Sequence, residues 1–480
     1  MMTLQDTDTT ATLDPAETTP PSGTPDPVRA VTPARYRLGP LLLALAGAGC
    51  WLGFVRPVDP GGLGSFGLIA ALSPALLAGI VLLSLAFVWE LRSPTPRTAV
   101  LTGLCVLAVA GLYGLQPLVE PEARLPVAWL HAGWVGQIVQ HGQVLHNFDA
   151  RFSWPAFFGL VAWLVGASDA TDALGLLAWA PPVFTGLAAV GVHALAVAVL
   201  GRGRGAWLAV WLFLAVNWVE QDYFSPQGLS YLLYVAALAI VARWLCRPDL
   251  TEPTGWVLPW RRTSTPGPTS EPRRRLAAAL GLVLLICAMA PAHQVTPFAL
   301  ALILVILAVA GRLHSAWLAV VAVLAPLTWL VLGASDYWTG HLNVLLGGVG
   351  DLSGTVQQNV GDRFTGDLGR ASVLGVRVGL AGLVVLVAAV GWWSLRTRRG
   401  RPVLLGVLAV APFVLLGLQS YGGEMLLRSL LYALPLLCTL GGAGLARLVP
   451  RTGHAGALTA GVLALALGVT SVGLVTARGG

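Results

Sequence analysis

The sequence is poor in charge. Only 11% of its 480 residues are Asp, Glu, Lys or Arg, whereas 56% are hydrophobic. A soluble protein usually carries about 25% charged residues, so this composition excludes a soluble enzyme. Lysine is absent, and all 29 basic residues are arginine. The net charge of +7 does not indicate a nucleic-acid-binding protein, because membrane proteins collect arginine in their cytoplasmic loops.

Cysteine is scarce, and internal repeats are lacking. The five cysteines lie singly in or at the ends of apolar segments, at Cys50, Cys105, Cys246, Cys287 and Cys438. None has the spacing of a zinc site, and the pattern does not indicate a disulfide framework. Because nothing repeats along the chain, a transporter built from two sequence repeats gains no support.

Long apolar runs are abundant from Tyr36 onward. Each can form a helix of about 20 residues, which crosses about 30 Å of hydrocarbon. We therefore predict an all-α polytopic membrane protein, with a disordered cytoplasmic tail at 1–35 and a membrane domain at 36–480. About thirteen transmembrane helices are predicted, at 38–55, 68–90, 98–118, 173–200, 205–219, 228–245, 276–291, 294–311, 315–333, 371–395, 402–418, 429–447 and 455–477.

The arginines predict the orientation of these spans. With a cytoplasmic N-terminus, 21 of the 29 arginines fall on the inner side, many of them in an Arg/Pro-rich loop at 247–275. This arrangement requires that the short run 153–166, opened by Trp154-Pro155, be re-entrant or interfacial. The acidic residues outside the tail then fall almost entirely on the outer side, so any chemistry is expected at the extracytoplasmic face.

The first large outer loop, 119–153, carries EPEAR at 120–124 and HNFDARFSWP at 146–155. Between them, apolar residues at helical spacing predict an amphipathic helix on the outer membrane surface. We expect one face to hold Leu125, Ala128, Trp129, Ala132, Val135, Gly136 and Val139, with His131 elsewhere. The helix either frames an active site between two acidic ends, Glu120/Glu122 and Asp149, or is an ordinary interfacial helix.

Three further polar motifs stand at outer helix ends. They are QDYFSPQ with Asp222, Tyr223 and Gln227, HQVTPF with His293 and Gln294, and YGGEMLLR with Glu424 and Arg428 four residues apart. Each alone is ordinary at a membrane boundary, but together they predict a substrate-binding group. A Gly-rich outer loop at 334–370 is either a lid or a solvated connector. The outer-side cations Arg363, Arg370 and Arg377 are able to hold a phosphate by bidentate hydrogen bonds.

The order of the first outer loop resembles integral-membrane glycosyltransferases of the GT-C fold, of an actinobacterial type. The resemblance rests on Glu120 and Glu122 at a helix end, a helix ending near Gly142, Asn147-Phe148-Asp149, and Trp154-Pro155. It covers most of residues 100–445 through short motifs. Two features depart from the pattern: the loop follows the third span instead of the first, and Pro121 separates the two acids.

The resemblance implies an inverting enzyme of the cell membrane. Such enzymes move a sugar from a polyprenyl-phosphate donor to a cell-envelope glycan or lipid acceptor at the extracytoplasmic face. A carboxylate of the first outer loop acts as general base, and cations hold the lipid phosphate. By position Glu122 matches that base best, with Asp149 and Glu120 as the other candidates. No cofactor is expected; metal dependence stays open, and no outer cluster has clear ligand spacing that would support a divalent metal.

Three other functions stay open on the sequence. A polysaccharide polymerase or ligase would work at the same face and depend more on Arg and His than on a carboxylate base. A lipid or solute transporter or flippase is disfavoured because the predicted spans are nearly free of charge. A non-catalytic membrane scaffold also remains, since no strong catalytic signature occurs.

Overall fold

A computed structural model describes residues 34–59, 63–120, 122–145, 149–168, 170–246, 250, 272–339, 368–396, 402–417, 424–450 and 453–479. Within these ranges the protein is helical, and the only extended pairing is an isolated bridge between Cys246 and Leu313. The predicted tail up to residue 33, Asn147-Phe148, most of the loops 247–275 and 334–370, and Arg363 lie outside the described residues.

The described residues form the following α-helices, in chain order. They are α1 (Ala34–Phe54), α2 (Leu68–Ala71), α3 (Pro74–Arg92), α4 (Thr98–Leu112), α5 (Leu115–Val119), α6 (Pro126–His141), α7 (Ala156–Ala167), α8 (Leu174–Leu177), α9 (Ala180–Leu200), α10 (Arg204–Val216), α11 (Pro226–Ile240), α12 (Pro272–Met289), α13 (Thr296–Val309), α14 (Trp317–Thr328), α15 (Ser335–Trp338), α16 (Leu368–Ser394), α17 (Val403–Val410), α18 (Met425–Leu445) and α19 (His454–Gly479). Single turns of π-helix extend α11 and α14, at Val241–Leu245 and Trp329–Gly333.

Six helices of the described residues are long and apolar enough to cross a membrane, by length and composition. Seven shorter apolar helices accompany them. A helix occupies each of the thirteen stretches predicted as spans, and local signals set the breaks. Ser73 accepts the Ala75 N–H ahead of Pro74, and Ser225 does the same for Gly228 ahead of Pro226; both are favourable helix starts. That all thirteen stretches cross the bilayer stays a prediction.

Helix α18 lies at the centre of the bundle, between α10 and α16, and nearly all its residues are buried. Its neighbours approach closely because small residues meet at the crossings. A methyl group added at Gly391 of α16 would overlap the Leu440 carbonyl oxygen of α18, and one at Gly442 would overlap the Gly205 carbonyl oxygen of α10. The packing of α18 therefore requires glycine at both crossings.

Polar contacts are gathered at two ends of the bundle. At one end Arg97 pairs with Glu90 at 2.6 Å, and Arg204 donates to the Val449 carbonyl at 2.6 Å. At the other end Arg478 pairs with Asp222, Arg377 with Glu220, and Arg428 with Glu424. The first set belongs to the predicted inner side and the second to the predicted outer side. The separation agrees with the predicted sorting of charges, and which end faces the cell exterior stays a prediction.

The helix predicted in the first outer loop is α6. Gly142 follows its last residue, His141, and adopts a left-handed conformation with φ of 67°. The predicted face is buried only in part, at Ala128, Ala132 and Val135. Trp129 and Val139 are exposed, whereas His131 is 4% exposed. The reason is that His131 Nδ1 donates to the Phe224 carbonyl at 2.8 Å, so the helix turns its histidine toward the protein. That α6 lies along the membrane surface stays a prediction.

Candidate functional site

A cavity of about 1320 Å³ opens at the predicted outer end of the bundle, between α6, α11, α16 and α18. Its polar part gathers charged and hydrogen-bonding side chains from segments far apart in sequence. They are His131, Arg151, Glu220, Gln221, Tyr223, Gln227, His293, Gln294, Arg377, Glu424 and Arg428. Both signs of charge therefore face one space, next to aromatic side chains that include Trp154 and Tyr337.

The other part of the cavity is an apolar trough along α16. Its lining side chains recur on one face of that helix, at Leu374, Val378, Ala381, Gly382, Val385, Leu386 and Ala389. At 1.5 Å per residue this stripe runs for about 22 Å. Phe413, in the 3₁₀ helix Ala411–Gly417 that follows α17, and Leu430 of α18 also contribute to the lining. The trough begins beside Arg377, so one continuous space joins charged groups to a hydrocarbon-lined channel.

Arg428 organises the buried side of the polar part, and it is 8% exposed. Its Nη2 donates to Glu424 at 2.9 Å, which forms the ion pair that the four-residue spacing on α18 allows. Its Nη1 donates to Gln227 of α11 at 2.9 Å and lies 3.3 Å from Nε2 of His293. Three of the predicted motifs therefore meet at one guanidinium group.

Glu220 has a strained backbone, with a positive φ of 56° that non-glycine residues rarely adopt. Its carboxylate lines the cavity and pairs with Arg377 at 3.3 Å. Burial raises the pKa of Glu220 above its ordinary value, while the guanidinium groups of Arg478, Arg377 and Arg124 oppose that shift. A carboxylate that lines a cavity, has a raised pKa and belongs to a residue with a strained backbone is a candidate functional group.

Next to Glu220, hydrogen bonds join the C-terminal end of α19 to the polar part of the cavity. Arg478 donates to Asp222 at 2.9 Å, and Asp222 also accepts from Thr185 at 2.5 Å. Arg377 donates to the Ala477 carbonyl and Arg124 to the Arg478 carbonyl, each at 2.8 Å. Cations at a helix C-terminus satisfy its free carbonyls and its negative dipole end. The contacts position Arg377 at the cavity wall.

An aromatic group stands on the α6 side of the cavity. The rings of His131 and Tyr223 stack with centroids 5.7 Å apart, and Trp134 lies 5.3 Å from His131. Arg151 lies over the Trp134 ring at 4.3 Å and pairs with Asp149 at 3.0 Å. Burial lowers the pKa of His131 to about 4, so its ring is neutral at physiological pH. His131 and Trp134 are buried, so of these rings the half-buried Tyr223, which lines the cavity, is placed to contact a sugar ring.

The structure brings six of the predicted site residues to the cavity: Tyr223, Gln227, His293, Gln294, Glu424 and Arg428. Glu122 and Asp222 line a much smaller pocket beside it, which shares Glu220 and Tyr223 with the cavity. Glu120 is buried and pairs with Arg124. Asp149 does not line the cavity, but it pairs with Arg151, which does. Arg370 is exposed on α16, outside the lining.

Sequence reasoning missed His131, Arg151 and Glu220 as site residues. Glu220 stood out only as one of many outer acids, and its backbone strain leaves no trace in the sequence. His131 offered a signal, because it falls four residues before Val135 and three after Ala128 on a helical stripe. Among the described residues, no group of three or more His, Cys, Asp or Glu side chains is arranged to hold a metal ion.

Comparisons with known proteins identify similar structures but no related sequence. No family model and no curated protein matches the sequence. Crystal structures of the Archaeoglobus fulgidus oligosaccharyltransferase are similar over 79% of this chain. The form tethered to an acceptor peptide with an NVT sequon has a TM-score of 0.48 and 14% identity, with 55% of its own chain covered. The complex with Zn and sulfate has a TM-score of 0.46 and 16% identity, with 53% of its own chain covered. The apo form has a TM-score of 0.47 and 14% identity, with 56% of its own chain covered. This chain therefore spans about half the length of the structures that it matches.

Proposed function

We propose that this protein is a membrane glycosyltransferase of the GT-C type. It takes a sugar from a polyprenyl-phosphate donor and passes it to a cell-envelope glycan or lipid acceptor at the extracytoplasmic face. The observation that supports this best is the single cavity that joins an apolar trough to a charged end. An isoprenoid chain fits the trough along α16, and the arginines at its end match the phosphate to which that chain is attached.

The trough and the arginines together favour a lipid phosphate over a soluble donor. Arg377 stands where the apolar stripe of α16 begins, so a chain lying in the trough places its head group beside that guanidinium. Arg428 and Arg151 line the same polar part. As the glycosidic bond to the donor breaks, negative charge grows on the leaving phosphate. Arginines fixed beforehand at that place stabilise the charge without reorganisation.

The acceptor hydroxyl loses its proton as the new bond forms, so a carboxylate base is required near the sugar. The resemblance in the first outer loop favours Glu122, with Asp149 and Glu120 as alternatives. Glu220 is an added candidate because it lines both the cavity and the small pocket that Glu122 shares. Its pKa, raised by burial, makes it a stronger proton acceptor than an ordinary glutamate. Glu424 also lines the cavity and pairs with Arg428, but the resemblance does not indicate it as the base.

A lipid-linked polysaccharide polymerase or ligase is the second candidate. The observation that favours it is the buried Arg428–His293 pair, because such an enzyme would depend on Arg and His. Both candidates use a lipid-linked donor and differ in what is transferred. A transfer that needs Arg428 and His293 but none of the four carboxylates Glu120, Glu122, Asp149 and Glu220 would favour the polymerase or ligase.

The direct test is an assay of purified protein with radiolabelled polyprenyl-phosphate sugars and extracted envelope glycans. The expected result is transfer of label to the acceptor fraction, with Arg428→Ala reducing it and Arg370→Ala leaving it unchanged. Arg370 is the matched control because it is an exposed arginine at the same end of the bundle, outside the cavity lining. Label that stays with the lipid for every donor tested, in protein shown to be folded, would contradict the proposal.

A further inference from the structure

His293 occupies the turn between α12 and α13, at the cavity wall, and is 7% exposed. Its Nδ1 accepts hydrogen bonds from the backbone N–H groups of Val295 and Thr296, each at 3.2 Å. A backbone N–H can only donate, so Nδ1 carries no proton. A neutral imidazole has one N–H, and here it must be on Nε2, the nitrogen that lies beside Arg428.

A chain of side-chain hydrogen bonds ends on the same nitrogen. Arg428 Nη1 donates to Gln227 Oε1, which turns the amide nitrogen of Gln227 toward the Tyr432 hydroxyl, 2.9 Å away. Because Nδ1 of His293 accepts from two backbone N–H groups, the Thr296 hydroxyl, 2.9 Å away, donates to it as well. Thr296 has no second hydroxyl proton, so the Tyr432 hydroxyl donates to Thr296 Oγ1, also at 2.9 Å. Every bond in the chain is therefore directed from Arg428 toward Nδ1.

The outcome is two donors beside each other at the cavity. Nε2 of His293 and Nη1 of Arg428 are 3.3 Å apart. With the histidine proton on Nε2, neither atom accepts a hydrogen bond from the other. Two N–H groups this close are stabilised when one acceptor oxygen binds both of them. Burial and the Arg428 charge lower the pKa of His293 well below its ordinary value, so the ring does not become imidazolium at physiological pH.

We propose that His293 is a neutral donor of fixed tautomer which, together with Arg428, binds one oxygen of the donor's lipid phosphate. Thr296, Tyr432 and Gln227 are positioning residues that set this tautomer. The identity of the anion rests on the proposed function, whereas the tautomer follows from the contacts alone. A neutral N–H stabilises the departing phosphate without giving up its proton, so the interaction is unchanged over the pH range in which an ordinary histidine titrates.

The tautomer is tested by NMR of the full-length protein in nanodiscs, labelled with nitrogen-15 histidine. His293→Asn identifies the signals of His293 by subtraction. We expect an unprotonated Nδ1 and a protonated Nε2 throughout the range of about pH 5–8 in which an ordinary histidine titrates. A protonated Nδ1, or imidazolium at neutral pH, would overturn the proposal. The measurement needs no enzymatic turnover, so it stands or fails separately from the glycosyltransferase assignment.

The ligand is tested with farnesyl phosphate, farnesol and inorganic phosphate on the same sample. Farnesyl phosphate is expected to shift the Nε2 proton signal of His293, while farnesol and inorganic phosphate at the same concentration leave it unchanged. An equal shift with inorganic phosphate would overturn the lipid-phosphate assignment and identify a site for free phosphate. Farnesyl phosphate that binds by calorimetry without moving the signal would exclude His293 as its ligand.

The positioning residues are tested through Thr296. Thr296→Val removes the hydroxyl that donates to Nδ1 and keeps the backbone donors, and Thr296→Ser restores the hydroxyl. A neutral hydrogen bond contributes about 0.5–1.5 kcal/mol, so Thr296→Val is expected to weaken farnesyl phosphate binding about 2- to 10-fold. It should also raise the fraction of protonated Nδ1, and Thr296→Ser should return both values to those of the wild type. If Thr296→Val and Thr296→Ser behave alike, the chain of side-chain hydrogen bonds does not set the tautomer of His293.

Discussion

Glu220 and Glu122 differ in ways that a matched pair of substitutions can separate. Glu220 lines the cavity, has a strained backbone and pairs with Arg377. Glu122, in contrast, is exposed and lines the small pocket beside the cavity. Glutamine preserves the shape of either side chain and removes its ability to accept a proton. A general base contributes about 10²- to 10⁴-fold, so the base variant should lose nearly all transfer in a radiolabel assay.

We expect Glu220→Gln to show this loss, with Glu122→Gln as the competing outcome that the sequence resemblance favours. Asp149→Asn and Glu120→Gln complete the set. Full transfer by all four variants, in preparations with measurable wild-type activity, would exclude a carboxylate base from this group. If Glu220 is the base, its raised pKa predicts that transfer falls as the pH drops through a value above that of an ordinary glutamate.

His131 makes the stability of the protein depend on pH. Its folded pKa is about 4 against an ordinary 6.5, because its ring is buried. Above pH 6.5 the ring is neutral in both states, so it contributes no pH dependence. As the pH falls from 6.5 toward 4, the unfolded state gains a proton that the folded state does not. The loss of stability therefore accumulates over this window, up to about 3 kcal/mol.

Thermal unfolding in detergent should detect this loss between pH 7 and pH 5. His131→Asn retains a donor for the Phe224 carbonyl and cannot titrate, so the variant should lose less stability on acidification than the wild type. His293 adds to the slope that remains, because burial also lowers its pKa. His141→Asn, on the exposed side of the same helix, is the control. An unchanged slope in His131→Asn would show that this ring does not remain neutral.

At the scale of single elements, the sequence predicted where helices lie along the chain better than which of their side chains are buried. Each of the thirteen apolar stretches contains a helix, because hydrophobic length and the Ser-Pro and Gly signals at the ends are local properties. The buried face of α6 depends instead on the Phe224 carbonyl, which comes from a segment 93 residues away. Likewise the motifs carrying Gln227, His293 and Arg428 were found singly, while their contacts depend on how α11, α13 and α18 pack.

The crossing of α16 and α18 is expected to tolerate no side chain at Gly391. A methyl group there meets the Leu440 carbonyl oxygen, which is backbone and cannot rotate away. Overpacking of this kind costs about 1–3 kcal/mol, so Gly391→Ala should lower the melting temperature. Gly379→Ala, on the same helix with open space around its α-carbon, is the matched control and should be neutral or slightly stabilising. Equal melting temperatures for the two variants would contradict the close approach.

The far end of the trough offers a test of the lipid chain. Ala389 is the last residue of the lining stripe on α16, about 22 Å from its start. Phenylalanine at this position should block the end of the trough while leaving the charged part intact. Ala389→Phe is therefore expected to raise the KM for a long polyprenyl-phosphate donor several-fold and to leave a short citronellyl-phosphate donor unchanged. Val390→Phe, at an exposed neighbouring position outside the lining, should alter neither. A parallel loss with both donors would exclude a chain-length effect.

Over the whole molecule, the sequence predicts most of the arginines at one end of the helix bundle and most of the acids outside the tail at the other. Glu90, Arg97 and Arg204 form their contacts at one end, and the cavity with Glu220 and Arg428 lies at the other. Because arginine accumulates in cytoplasmic loops, the cavity end is predicted to face the cell exterior. A lipid-linked donor and an envelope acceptor meet only on that side, so the orientation is a condition for the proposed function.

Single cysteines in a variant that lacks the five native cysteines test this orientation. Gln143 follows α6 at the cavity end and Arg202 precedes α10 at the opposite end, and both are exposed. In intact cells a membrane-impermeant maleimide should label Gln143→Cys, and it should label Arg202→Cys only after the cells are permeabilised. The reverse pattern would place the cavity in the cytoplasm, where extracytoplasmic glycan acceptors are absent. Labelling of both positions in intact cells would instead put the two ends on one side and overturn the assignment of spans between residues 143 and 202.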